Sequence, residues 1–228
     1  MSEPSLLARD NPVSAAFAAA GSSAVVGNES PQWGASSAIV LVGLMGAGKT
    51  TVGQRLANPL QLPFVDSDRE IEQVTRLSIA ELFERYGEAQ FRDGERHLLA
   101  RLIGGKAKVI ATGGGAFMNG ATRALILERA AAIWLDADVD TLAARTARRP
   151  GQRPLLHGRD PCEVLTDLAA ARNPIYAQAH LRIPNQAGCH RATVDAIVQA
   201  IVSGSILTAT NSACGGQRVR TTRSARDR

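Results

Sequence analysis

The chain is predicted to fold as an α/β protein, a parallel sheet covered by helices on both faces. Two observations carry that expectation. Short apolar runs alternate with longer stretches of helical periodicity from about residue 38 onward. Strands buried on both faces of a parallel sheet read as continuous apolar runs, as these do. The second observation is a glycine-rich turn set between the first apolar run and the first helical stretch.

Taken in order, the first strand is Ala38–Val42, AIVLV, five apolar residues ended by Gly43. Further strands are read at 62–65, 108–112 and 131–135, with a weaker fifth at 180–183. Helical patterns intervene at 50–58, 79–104, 119–129, 138–147, 160–178 and 191–203. Pro154, Pro161 and Pro174 punctuate the region after the fourth strand, which argues against one long helix there. No internal repeat is visible. Residues 1–37 are rich in Ala, Ser, Gly and Asn without sustained periodicity, and are expected to be disordered. The same expectation applies to the tail, 205–228, which leaves 38–204 as the folded domain.

Charge and cysteine content exclude several function classes. The formal net charge is +5, but five arginines after residue 214 against Asp227 account for most of it. Attraction from such a tail carries no sequence specificity, so nucleic acid is not an expected partner. The first 37 residues hold one arginine and three acids, unlike a secretory or organelle-targeting leader. No apolar run approaches the roughly 20 residues that span a bilayer. Cys162, Cys189 and Cys214 show no CxxC spacing, which fits a reducing compartment and a cytoplasmic location.

The turn after the first strand reads GLMGAGKT, Gly43 to Thr50, and matches GxxxxGK[ST] in the strand–loop–helix context that motif requires. Glycines let successive backbone N–H groups curl toward phosphate oxygens, and the following helix N-terminus adds partial positive charge. The nucleotide-binding set is therefore Gly46, Ala47, Gly48, Lys49, Thr50 and Thr51. Lys49 supplies a point charge to the β/γ-phosphates, and Thr50 a hydroxyl ligand for Mg²⁺.

Many enzymes with this loop carry a magnesium-holding aspartate after the third strand. Here Thr112 stands there instead, followed by Gly113, Gly114 and Gly115. A metal-binding carboxylate must come from elsewhere, and FVDSDREIE at 64–72 offers Asp66 and Asp68. Loops after the first three strands converge beyond the carboxyl ends of the sheet. Residues two apart in extended chain face one side, so both aspartates can look into that crevice. One is expected near Mg²⁺ and the other at an acceptor hydroxyl, with Asp68 as a helix N-cap the blander reading. Gly94 inside the helical FRDGE, 91–95, hints at a close approach. The loop from Arg148 to Leu156 holds three arginines and suits a mobile lid over polyphosphate. Arg92 and Arg172, aimed at one crevice, could clamp a carboxylate.

Together these motifs resemble the shikimate kinases. GLMGAGKTTVG at 43–53, FVDSDREIE, FRDGE, TGGGA at 112–116, RPLL at 153–156 and ARNPIY at 171–176 occur in that family's order and at nearly its spacing. The resemblance covers about 38–204. It implies a five-stranded parallel sheet of order 2-3-1-4-5, with transfer of the γ-phosphoryl group of ATP to the 3-hydroxyl of shikimate. It further implies that Asp68 meets the reacting hydroxyls and that Arg92 and Arg172 bind the carboxylate. The Gly113–Gly115 run and Glu95 complete the acceptor site. Arg153 meets the ATP phosphates from the lid, Arg148 is a candidate for stacking on adenine, and Thr50 with Asp66 forms the Mg²⁺ side. Lys49, Asp68 and Arg153 form the catalytic set, and the family suggests a monomer. The adenine contact expected between 184 and 191 is not assignable from the sequence. Two rivals remain: another small-molecule kinase of the same fold, such as a gluconate or nucleotide kinase, and a nucleotide switch that binds nucleic acid through its tail.

Overall fold

The computed structural model describes residues 38–147, 160–185 and 190–203. The expected extension 1–37, the basic tail 205–228 and the arginine loop with Arg148 and Arg153 lie outside the described residues, as does 186–189. Five parallel strands form one sheet in the order β2-β3-β1-β4-β5, the predicted topology. They are β1 (Ala38–Val42), β2 (Phe64–Asp66), β3 (Val109–Ala111), β4 (Ala130–Asp136) and β5 (Leu181–Pro184). Around them lie α1 (Lys49–Leu60), α2 (Ser67–Thr75), α3 (Ile79–Ile103), α4 (Gly120–Arg129), α5 (Val139–Ala147), α6 (Pro161–Tyr176) and α7 (His190–Val202).

β1 is central because every one of its side chains is apolar and every one is buried. In register, Leu41 stands between Ala111 of β3 and Ile133 of β4. The small residues Ala130, Ala131 and Ala132 let helices approach the start of β4, where all three are buried. Parallel pairing throughout puts the ends of β1, β2 and β3 on the same edge of the sheet, and the functional loops with them.

Three expectations need correction. The helix α2 follows β2 with no loop: Asp66, not Asp68, is its N-cap, and Asp66 Oδ1 accepts from the Arg69 backbone N–H at 3.4 Å. α3, opened by a reciprocal Ser78–Glu81 capping box, is broken at Gly87, whose φ of 78° and ψ of 168° are not helical. Gly94 is buried within it. Pro161 sits at the first position of α6, which lacks a partner for its N–H in any case, and Pro174 falls in the last turn. The helix therefore runs past Arg172 to Tyr176 rather than being interrupted there. Among the described residues, no helix is long and apolar enough to cross a membrane.

Candidate active site

The phosphate loop is shaped by its neighbours as much as by its glycines. A Cβ on Gly43 would lie 2.6 Å from the Leu135 carbonyl oxygen, so the chain leaves β1 in contact with β4 backbone. Gly48, at φ 85°, caps α1 without any side-chain acceptor, leaving the first N–H groups of the helix directed at an incoming anion. Lys49 Nζ donates to the carbonyls of Gly43 at 2.8 Å and Leu44 at 2.9 Å, so its ammonium is folded back over the loop. Two residues missed at the sequence level brace the loop from behind. Asn185 Nδ2 donates to Ala47 O at 2.5 Å, and Arg145 Nη1 to Gly46 O at 3.3 Å. Asn185 is itself fixed by Thr193 Oγ1 at 2.9 Å. Its position just past β5 lies in the stretch that carried no assignable motif; Arg145 precedes the arginine loop and carries no signal of its own.

On the far side of the loop, Thr50 Oγ1 donates to Asp66 Oδ2 at 2.8 Å, joining the two predicted metal-side residues. Asp68 occupies the first turn of α2, and the helix, not an extended backbone, turns its carboxylate inward. A Cβ on Gly113 would lie 2.7 Å from Asp68 Oδ1. Removal from water, and then the neighbouring Asp66 charge, push the Asp68 carboxyl up to about 6, with Lys49 pulling the other way. Thr112, in place of the usual aspartate, spends its hydroxyl on Leu41 O at 3.0 Å and serves the sheet.

The other two glycines of the run meet the two predicted arginines. A Cβ on Gly115 would overlap the Arg92 guanidinium. That guanidinium donates to Glu95 Oε2 at 2.8 Å and to Glu88 Oε1 at 3.3 Å. It also lies over the rings of Phe83 and Phe91, 5.6 and 5.2 Å from their centroids. Glu95 is 1% exposed, and its Oε1 has no hydrogen-bond partner among the described residues. Burial pushes its carboxyl up to about 7 against the pull of Arg92. Arg172 Nη1 donates to Gly114 O at 3.4 Å, and the Tyr176 hydroxyl donates to the same oxygen at 2.5 Å. Tyr176 is quoted in ARNPIY but its sequence position alone suggests no role. Each glycine thus faces one of Asp68, Arg172 and Arg92. Gly114 also touches the phosphate loop, where its Cβ would be 3.5 Å from Met45 N and 3.6 Å from Gly43 O.

A phosphate-binding turn in contact with a crevice walled by one carboxylate and two guanidinium groups is the layout of a P-loop kinase acting on a small anionic acceptor. The shikimate kinase family model matches residues 45–202. The shikimate kinase of Caulobacter vibrioides is 53% identical over 163 residues, 72% of this chain and 81% of that protein. That of Novosphingobium aromaticivorans is 53% identical over 167 residues, 72% of this chain and 86% of that protein. The solved structure of Acinetobacter baumannii shikimate kinase in complex with shikimate superposes with a TM-score of 0.70 at 41% identity, covering 74% of this chain and 94% of that one. The chain belongs to the shikimate kinase family.

Proposed function

We propose that the chain transfers the γ-phosphoryl group of ATP to the 3-hydroxyl of shikimate, using the crevice lined by Gly113–Gly115. The observation that carries this reading is the pairing of the three glycines with Asp68, Arg172 and Arg92, directly beside the phosphate loop. Two guanidinium groups suit a ring carboxylate, and a lone inward carboxylate suits a hydroxyl.

In this reading Gly46, Ala47, Gly48 and Thr51 cradle the phosphates through their backbone, and Lys49 exchanges its two loop carbonyls for phosphate oxygens. Phosphoryl transfer has a loose transition state, so the side chains act mainly by positioning and by neutralising charge. Asp68 orients the acceptor hydroxyl and receives its proton. A carboxyl pushed up to about 6 is still mostly ionised at neutral pH, yet more basic than an ordinary aspartate. Arg92, held by Glu95, and Arg172 grip the carboxylate. Arg153 would add positive charge at the transferred group and Arg148 a surface for adenine, both on the strength of the sequence resemblance.

Thr50 and Asp66 fit a Mg²⁺ ion. The ion binds through one or two protein oxygens and otherwise through phosphates and water. Among the described residues no group of three or more His, Cys, Asp or Glu could hold an ion alone, which suits an ion brought in with ATP. Bound there, Mg²⁺ would supply charge neutralisation across the β- and γ-phosphates. A cytoplasmic monomer completes the proposal.

The test is ADP formation by purified protein with ATP and Mg²⁺, with and without shikimate and with gluconate as a comparison acceptor. Shikimate-dependent ADP release supports the reading. Release that depends on gluconate, or that ignores the acceptor, overturns it.

A further inference from the structure

Tyr176 is fully buried, yet it carries a polar group whose bonds all lead to the acceptor crevice. Its ring stacks with those of Phe117 and Trp134, with centroids 6.2 and 6.0 Å away and interplanar angles of 16° and 25°. Trp134 in turn packs where the phosphate loop begins, its Cδ1 3.4 Å from the position of a Cβ on Gly43. The phenol is therefore fixed in place before any ligand arrives. Its hydroxyl donates to Gly114 O at 2.5 Å. The Arg172 guanidinium, with its own 3.4 Å bond to Gly114 O, shares that acceptor with the phenol. One carbonyl oxygen thus joins the phenol and the guanidinium.

We propose that Tyr176 is a positioning residue for the acceptor carboxylate: its hydroxyl takes the Gly114 carbonyl at 2.5 Å, leaves Arg172 only a long bond to that oxygen, and so sets the direction in which Arg172 presents its remaining N–H groups to the crevice. The inference rests on Arg172 binding that carboxylate, as read above. Without the hydroxyl, Arg172 becomes the sole side-chain donor to Gly114 O among the described residues and turns toward the backbone, because a part-buried carbonyl without a close donor is costly. A guanidinium reaches a carboxylate with two parallel bonds only at one orientation, so a small rotation weakens recognition of the charged group. Burial pushes the phenol up to about 12, so it remains a donor through the working pH range.

Tyr176→Phe keeps the ring and its stacking and removes only the hydroxyl. The measurement is the ratio of kcat/KM for shikimate to that for its uncharged methyl ester, taken on one enzyme sample. Any loss of folded protein cancels in that ratio. The hydroxyl's contribution, converted from the net worth of one hydrogen bond, predicts a fall in the ratio of about threefold to tenfold. Arg172→Lys should lower the ratio further, and Tyr176→Phe added to Arg172→Lys should lower it no more. A ratio unchanged by Tyr176→Phe while Arg172→Lys collapses it overturns the role of Tyr176 and leaves the acceptor site standing. So do additive effects in the double variant. A ratio indifferent to Arg172→Lys removes the carboxylate clamp itself, and this inference with it.

Discussion

Glu95→Gln should flatten the dependence of stability on pH between about pH 5 and pH 8. Glu95 is 1% exposed, with Oε2 paired to Arg92 at 2.8 Å and Oε1 unpaired among the described residues. Burial lifts its carboxyl from the ordinary 4.5 to about 7. The folded state therefore keeps a proton that the unfolded state has already released. Its stabilising contribution is fully present below about pH 4.5 and is lost as pH rises through about 7. A difference of that size is worth at most about 3.5 kcal/mol, at about 1.4 kcal/mol per pH unit. Glutamine has the shape of the protonated acid and does not titrate. It also leaves Arg92 its bond to Glu88, at 3.3 Å, so the guanidinium is not stranded. Urea unfolding of both proteins at pH 5, 6, 7 and 8 gives the comparison, and groups common to both largely cancel. The native chain should lose about 1–3 kcal/mol against the variant across that range. Parallel curves would refute the reasoning. A native chain that gains on the variant as pH rises would show that the Arg92 pair outweighs the cost of burial.

Asp68→Asn should lower turnover by about 100-fold or more while ATP binding stays nearly intact, since a neutral amide cannot take the hydroxyl proton. Isothermal titration with a non-hydrolysable ATP analogue, alongside steady-state rates, separates the two effects; undiminished turnover would end the role given to Asp68. Gly115→Ala should raise the shikimate KM by about 10-fold to 100-fold, the worth of a charge-assisted bond. The new Cβ overlaps an Arg92 already held by Glu95, Glu88 and two aromatic rings. An unaltered KM would mean that Arg92 yields freely or lies off the acceptor. Lys49→Ala should impair both ATP affinity and turnover, measured by the same titration and rates, and loss of only one would narrow the lysine to that step.

The strand and loop skeleton was legible because its signals are local. An apolar five-residue run closed by glycine can be read without knowing its neighbours, and so can GxxxxGK[ST]. The aspartate pair stands beside Thr50 and Gly113, and for a reason other than the one read from the sequence. The alternation of an extended chain was invoked, whereas α2 starts at Ser67 and its first turn carries Asp68 inward. A helix that begins inside a strand motif has no room for a separate cap signal, and Asp66 serves both the cap and Thr50. What the sequence concealed depends on residues far apart. Asn185 matters because β5 ends beside the phosphate loop, a fact of strand order and not of any motif. Tyr176 matters because Pro174 fails to end α6 and one more half-turn brings its hydroxyl to Gly114. The triple glycine was visible as a motif, but which glycine meets which side chain required three elements in place.

The bond from Asn185 to Ala47 spans 138 positions of the chain, and that from Tyr176 to Gly114 spans 62. Contacts of such separation form only after long loops have closed, which makes them late and slow relative to local structure. A ribosome will have released the whole GKT motif long before β5 exists to brace it. The growing chain can therefore build β1 and α1 early, but it cannot finish its phosphate loop until the last strand docks. Competence arrives only after β5 and Asn185 are in place, so a chain cut short before them or half-folded should be inert rather than a stray consumer of ATP.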